Sequence, residues 1–332
     1  MKNKSIGFQL PKIISPPVIA LILAILLFVI SSFFLKTGTG VAGMVNRGKM
    51  IINITAFLGL IAAGQTIVIL AGGEGIDLSA GTTVTLAAII TAVVANKSDA
   101  NLPLALITAL SSGALVGLIN GIGVAVLKIH PVVMTLSVSG VTMGTILAIY
   151  RGAVQGGSGP GFNKFISMPI TIGNINFGFT GAVFAWIFVS VVIWFILNKT
   201  QFGKHLFAIG VNREAAHLSG VRVTRTAILA YVLCGIFTAF GGFIVLGYIQ
   251  SVYFIIGDGY LFPSIAAVVL GGTVLAGGEG SYWGTMIGAL VLSVLDSILT
   301  SSQVDVSVRQ IVLGVLLLAV ISLYGRQKAL RQ

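Results

Sequence analysis

Asn198-Lys-Thr-Gln-Phe-Gly-Lys-His-Leu-Phe-Ala-Ile-Gly-Val-Asn-Arg-Glu-Ala-Ala-His-Leu-Ser-Gly-Val-Arg-Val-Thr-Arg-Thr226 is the longest run of mixed polar and charged residues in an otherwise apolar chain. It carries Lys199, Lys204, Arg213, Glu214, Arg222 and Arg225, with His205 and His217. Apolar segments flank it, Phe177 to Leu197 before and Ala227 to Ser251 after. Each is of membrane-spanning length, so the stretch reads as a water-facing loop between two transmembrane helices. Its middle, Gly210 to Gly220, reads as a short capped helix. The Asn212 side chain can accept a free backbone N–H at the N-cap. Glu214 falls in the first turn, where the helix dipole favours negative charge. Gly220 stands where a left-handed residue stops a helix. The body Arg213–Ser219 would be only about 10 Å long at ~1.5 Å per residue. A helix that short is marginal in water, which predicts that a partner protein holds it.

The composition agrees with a membrane setting. The chain has 332 residues, 56% hydrophobic and 8% charged, with mean hydropathy +1.07. Soluble domains carry about 25% charged residues. The 43 glycines suit close helix packing in a bilayer. A single cysteine, Cys234, excludes an internal disulfide and a cysteine metal cluster. The net charge of +11 does not indicate nucleic acid, because the basic residues lie in short loops between apolar runs and act as orientation signals. The first apolar run, Pro17–Leu35, is as long as a span and no small-residue cleavage site follows it, so it reads as a helix and not a signal peptide.

The fold class predicted is an all-α membrane protein with about ten spans. They run Pro17–Leu35, Met50–Ala71, Ala80–Ala95, Leu102–Leu127, Val132–Tyr150, Phe177–Leu197, Ala227–Ser251, Leu261–Ala276, Tyr282–Thr300 and Gln310–Leu323. The third, eighth and tenth are short enough for half-helices. An even count puts both termini on one side. With termini inside, the inner segments hold about twice as many Lys and Arg as the outer ones, which predicts cytoplasmic termini and a cytoplasmic 198–226 loop.

Gly113, Gly117 and Gly121 fall on one helix face. Tight helix packing is the plain reading, and lining of a pore is the other. The outer segment Arg151–Asn176 is rich in glycine and reads as a slack connector or a docking surface. Gly-Gly-Glu-Gly occurs at 72–75 and again at 277–280. If spans two to five and seven to ten form an inverted repeat, these turns are not equivalent and the identity is chance. Asp77, in Gly75-Ile-Asp-Leu-Ser-Ala-Gly81, reads as an N-cap to the third span, with a proton or cation site as the sharper alternative. Asp296 reads as the one acid deep in a span, with no evident basic partner. His130 precedes Pro131, where helix entry is the plain reading. No G-x-S-x-G, H-E-x-x-H or phosphate-loop lysine motif occurs, and the three histidines are not spaced as metal ligands. The chain itself therefore reads as no enzyme, and energy for pumping would come from another subunit or an ion gradient.

Four blocks carry a resemblance to a known family. They are Gly75-Ile-Asp-Leu-Ser-Ala-Gly81; His130-Pro-Val-Val-Met-Thr-Leu136 with Arg151-Gly152; Phe202-Gly203 through Ala208-Ile-Gly210, Asn212, Ala215-Ala216 and Gly220; and Ile265-Ala-Ala-Val-Val-Leu-Gly-Gly-Thr273 with Gly277-Gly278, Gly280, Trp283-Gly284-Thr285 and Gly288. Together they resemble the integral-membrane permeases of bacterial ABC sugar importers, of the ribose, xylose, arabinose and galactose type, within the wider group that includes branched-chain amino acid permeases. The resemblance implies a type II importer permease with two inverted-topology halves. It implies one transmembrane domain over residues 1–332, with 198–226 as its coupling loop, in the bacterial cytoplasmic (inner) membrane. It implies a second permease chain, a cytoplasmic ABC ATPase and a periplasmic or lipid-anchored sugar-binding protein. ATP and Mg would belong to the ATPase, with no cofactor on this chain. Gly210, Asn212, Arg213, Glu214, Ala215, Ala216 and Gly220 would form the coupling helix. In that picture Asn212 and Gly220 shape it, Ala215 and Ala216 allow close approach, and Arg213 and Glu214 contact the ATPase. The chain departs from the family where acids often precede the Ile265 block. Leu261-Phe262-Pro263-Ser264 stands there instead, which leaves the solute open among a monosaccharide, a nucleoside, an amino acid and a furanosyl signal molecule. An ion-coupled carrier acting alone is the rival from another class.

Overall fold

The computed structural model describes residues 15–34, 40–151, 154–172, 175–315 and 318. In order the elements are α1 (Pro16–Phe34), α2 (Val41–Leu70), α3 (Ala80–Ala95), α4 (Leu102–Ala125), α5 (Pro131–Tyr150), α6 (Pro160–Ser167), β1 (Pro169–Ile172), β2 (Ile175–Thr180), α7 (Gly181–Lys199), α8 (Gln201–Val211), α9 (Arg213–Leu218), α10 (Val223–Ile249), α11 (Asp258–Leu270) and α12 (Tyr282–Ser301). A further apolar helix, α13, covers Val306–Val315. Among the described residues, six helices are long and apolar enough to cross a membrane: α2, α4 with the turn before it, α5, α7, α10 and α12. Shorter apolar helices occupy the first, third, eighth and tenth predicted stretches. The basic residues of both termini and the end of the tenth stretch lie outside the described residues.

Sequence signals set the helix ends. Proline opens α5 and α6, where the missing N–H costs nothing. Left-handed residues close others: Asn96 after α3, Arg151 after α5 and Gln250 after α10. The core is the C-terminal half of α2, where Leu60, Ile61, Ile67 and Leu70 are fully buried, and α2 packs on α10, α12, α11 and α7. The Gly113, Gly117 and Gly121 face is a packing seam. Their missing side chains leave room for the α10 backbone at Gly235, Tyr231 and Ile228 respectively. Trp186 Nε1 donates to Tyr282 Oη at 3.0 Å, and that hydroxyl donates to the Gly59 carbonyl at 2.8 Å, joining α7, α12 and α2. The outer faces of α4, α5 and α7 expose large apolar side chains, including Leu104, Ile107, Leu115, Val141, Ile149 and Phe188, as lipid contact requires.

The described residues 154–172 of the glycine-rich segment are tied to the bundle by hydrogen bonds. Gly157 N donates to Ala92 O at 3.0 Å, and Lys97 N donates to Gly157 O at 2.8 Å. Asp99 accepts from Gly161 N at 2.8 Å and Phe162 N at 2.9 Å, which satisfies the free amides of α6. Phe162 then packs against Phe243, the rings tilted with centres 4.6 Å apart. The antiparallel β1–β2 hairpin follows, so the sixth predicted span begins at Gly181 and not Phe177. Glycine richness hid this order, because pinning by distant residues leaves no local signature.

Candidate functional site

The charged loop holds two helices, where the sequence showed one. Thr200 caps α8, its Oγ1 accepting from Gly203 N at 3.2 Å. Leu206 and Ile209 turn inward from α8, and Gly203 sits against the α7 carbonyls of Ile196 and Leu197. Asn212 breaks the run at φ −156°, ψ 111°, and its Oδ1 accepts from Ala215 N at 3.0 Å. That is the predicted N-cap. Glu214 lies in the first turn of α9. Gly220, at φ 85°, closes the helix. Gly220 N donates to His217 O at 2.9 Å and Val221 N to Ala216 O at 3.0 Å, a bond pattern that needs a left-handed residue. A Cβ on Gly220 would meet nothing within 4 Å, so its glycine is there for conformation alone.

Gly210 is there for space. A Cβ on it would strike the Leu70 carbonyl and the Gly278 amide. Those two groups are themselves bonded, Gly278 N to Leu70 O at 3.0 Å. The two Gly-Gly-Glu-Gly turns thus pack against each other beneath the α8–α9 junction. Each contains consecutive left-handed glycines, Gly72 and Gly73 at φ 69° and 65°, Gly277 and Gly278 at φ 91° and 77°. The two stretches that share these letters therefore meet in space, a contact the sequence reading did not foresee.

Arg213 completes the junction. Its Nη2 donates to Gly72 O at 3.1 Å, just past the C-terminus of α2, where a cation is favoured. Its Nε is buried without a partner among the described residues. Ala216 is buried at 5% exposure. Glu214, Ala215 and His217 face outward with two large apolar side chains, Val211 at 73% and Leu218 at 82% exposure. On the same end, His130 Nε2 meets Glu74 Oε2 at 2.9 Å, both exposed.

Deeper in the bundle lies a polar cluster on the loop between α2 and α3. Asp77 is 1% exposed. Its Oδ1 accepts from Ser79 N at 2.9 Å, Ser79 Oγ at 2.5 Å and Asn120 Nδ2 at 3.3 Å, and Oδ2 accepts from Cys234 Sγ at 3.4 Å. Gln65 brackets its backbone, donating to Asp77 O at 2.5 Å and accepting from Asp77 N at 3.3 Å. Thr135 Oγ1 accepts from Leu78 N at 3.0 Å. One short loop is thereby tied to α2, α4, α5 and α10. Ser79, not Asp77, is the N-cap residue of α3, so Asp77 acts across the bundle and not only at a helix end. It is also the deeply buried acid; Asp296 has a half-exposed side chain and pairs with Arg309 at 3.8 Å. The sequence offered one hint for Asn120, a lone amide in an apolar run. It offered none for Gln65 or Thr135.

A bundle whose long helices expose apolar flanks, with a charged capped helix pair seated on two glycine turns at one end, defines a multi-pass membrane protein of the permease class. The family model described as the branched-chain amino acid transport system / permease component matches residues 48–321, and the chain belongs to that family of transport components. Curated relatives include the galactose/methyl galactoside import permease protein MglC of Escherichia coli, 34% identical over 274 residues, covering 77% of this chain and 81% of the relative. The ribose import permease protein RbsC of Escherichia coli is 34% identical over 278 residues, covering 82% and 84%. The fructose import permease protein FrcC of Rhizobium meliloti is 32% identical over 278 residues, covering 82% and 76%. No solved structure is significantly similar to the chain.

Proposed function

We propose that this chain is the permease subunit of an ATP-binding-cassette importer that carries a monosaccharide across the bacterial cytoplasmic membrane. The import permeases for galactose, ribose and fructose among its relatives support the solute class. In this reading residues 1–332 form one permease domain of about ten spans in two inverted halves, with both termini cytoplasmic. ATP and Mg are held by a separate ATPase chain, a periplasmic or lipid-anchored protein delivers the sugar, and a second permease chain completes the pathway.

The observation that carries the proposal is the two-sided character of α9. On its inner side Arg213 is tied to the α2–α3 turn and Ala216 is buried, while Gly210, near the end of α8, sits against Leu70 and the α11–α12 turn. Its outer side presents Glu214, Ala215, His217 and Leu218, with Val211 at the end of α8 beside them, uncovered by any of the described residues. Exposed apolar side chains beside a charge make a docking surface. Within the expected coupling set, Glu214 and Ala215 then meet the ATPase, Asn212 and Gly220 shape the helix, and Gly210, Arg213 and Ala216 transmit its movement. Closure of two ATPase units on ATP would pull the two α9 helices together. The pull would reach the Asp77 loop through the turn at Gly72. Replacing Glu214 and Ala215 together with tryptophan should abolish ATP-driven uptake while membrane insertion is retained. Uptake at the wild-type rate in that variant, or uptake into vesicles holding this chain alone, would overturn the proposal.

A further inference from the structure

At the end of the bundle opposite α9, a cavity of about 530 Å³ opens between α2 and the β1–β2 hairpin. At ~1.5 Å rise per residue, its α2 residues Phe57 and Asn46 stand about 20 and 36 Å from Leu70, far from the coupling turns. Its volume lies within the range of small-molecule sites, about 300–1,000 Å³. We infer that this cavity is a binding site for a free monosaccharide on its way into the permease. The inference rests on the sugar-import reading.

Three features point to a ligand. First, Thr180 lines the cavity at 5% exposure, and its Oγ1 is buried without a hydrogen-bond partner among the described residues. Buried hydroxyls are ordinarily satisfied, so an orphan in a residue that lines the cavity is a contact a ligand would supply on a small shift of the wall. Second, that hydroxyl is held in register. Thr180 N donates to Asn53 Oδ1 at 2.9 Å, while Asn53 Nδ2 donates to Gly178 O at 3.1 Å. Gly178, at φ 73°, leaves the space that the Lys49 side chain fills, since a Cβ there would collide with the lysine stem. Third, the lining is mixed in the way a saccharide requires. Lys49 supplies an ammonium donor. Ser167 donates to Asn163 O at 2.6 Å and keeps its lone pairs for accepting. Phe57 and Tyr248, with ring centres 4.9 Å apart, form an aromatic wall for the C–H face of a sugar ring. Among the described residues no carboxylate lines the cavity, which argues against a cation.

The test uses the complete transporter, this chain with its ATPase and binding protein, in vesicles offered labelled galactose, ribose or fructose. Thr180→Val deletes the orphan hydroxyl and keeps the side-chain shape. Lys49→Gln deletes the ammonium. Each should lower the uptake rate at saturating loaded binding protein by about tenfold, the worth of one well-placed hydrogen bond. Thr180→Ser should retain transport. The binding-protein concentration giving half-maximal uptake should not move, because the cavity acts after delivery. If wild type imports one of the three sugars and both T180V and K49Q import it at the same rate, the cavity is not a sugar site. If wild type imports none of them, the sugar reading falls and this inference with it. Should T180V fail to insert or to assemble with the ATPase, the K49Q result decides.

Discussion

Replacing Gly210 with alanine adds one methyl group where the structure has no room for it. The new Cβ would meet the Leu70 carbonyl and the Gly278 amide, both backbone groups that cannot swing aside. Either the bond from Gly278 N to Leu70 O at 3.0 Å opens, or the α8–α9 junction lifts and draws Arg213 Nη2 off Gly72 O at 3.1 Å. A neutral backbone bond is worth about 1 kcal/mol net and a bond to a charged group about 2 kcal/mol. Lifting the junction loses the charged bond, the larger of the two, and would weaken the locked junction by about 2 kcal/mol, which is roughly thirtyfold in its population. The α4–α10 seam is untouched, so the variant should insert and bind its ATPase. The assay is uptake together with ATP hydrolysis, by the assembled transporter with loaded binding protein. Uptake should fall at least about tenfold per ATP hydrolysed, because a lifted α9 moves without dragging the turns. Gly220→Ala is the control: it meets no neighbour, and forcing a side chain into the left-handed region costs only about 1–2 kcal/mol. If G210A transports with wild-type coupling while G220A is the worse variant, the steric account of the junction is wrong.

Other consequences are direct. Gly113→Val should strike the Gly235 carbonyl and lower the thermal midpoint in detergent, with a cost of about 1–3 kcal/mol from overpacking; an unchanged midpoint would refute the seam. Asp77→Ala leaves Ser79 N and Ser79 Oγ without their acceptor, at about 1–3 kcal/mol for each group left unsatisfied, while Asn120 Nδ2 keeps its bond to Ser79 Oγ at 2.8 Å. Thermal scans should show that variant well below Asp77→Asn, which keeps one oxygen. Asp99→Ala removes the acceptor for two α6 amides and should cost about 1 kcal/mol locally. Faster protease cleavage within 154–172, with transport still measurable, is the expected result, and unchanged cleavage would show that Asp99 is not what holds α6.

Local chemistry was legible in the sequence wherever a residue acts on its own neighbourhood. Apolar run lengths marked the membrane helices, because a bilayer admits only backbone whose polar groups are satisfied within the segment. Asn212 and Gly220 marked the ends of α9, because capping is a contact between residues a few positions apart. The α8 helix was missed because Gly203 and the charged residues around it read as loop, and its stability comes from burying Leu206 and Ile209 under the bundle.

Composition, run length and capping residues thus determined by themselves that the chain is a bundle of membrane helices with a capped rod in a water-facing loop. Tertiary structure alone decided what the rod stands on. The meeting of Gly210 with Leu70 and Gly278, of Arg213 with Gly72, and of Asp77 with Asn120 and Cys234 joins residues far apart in the chain. Such contacts follow from how the helices cross, and no local pattern of residues records a crossing.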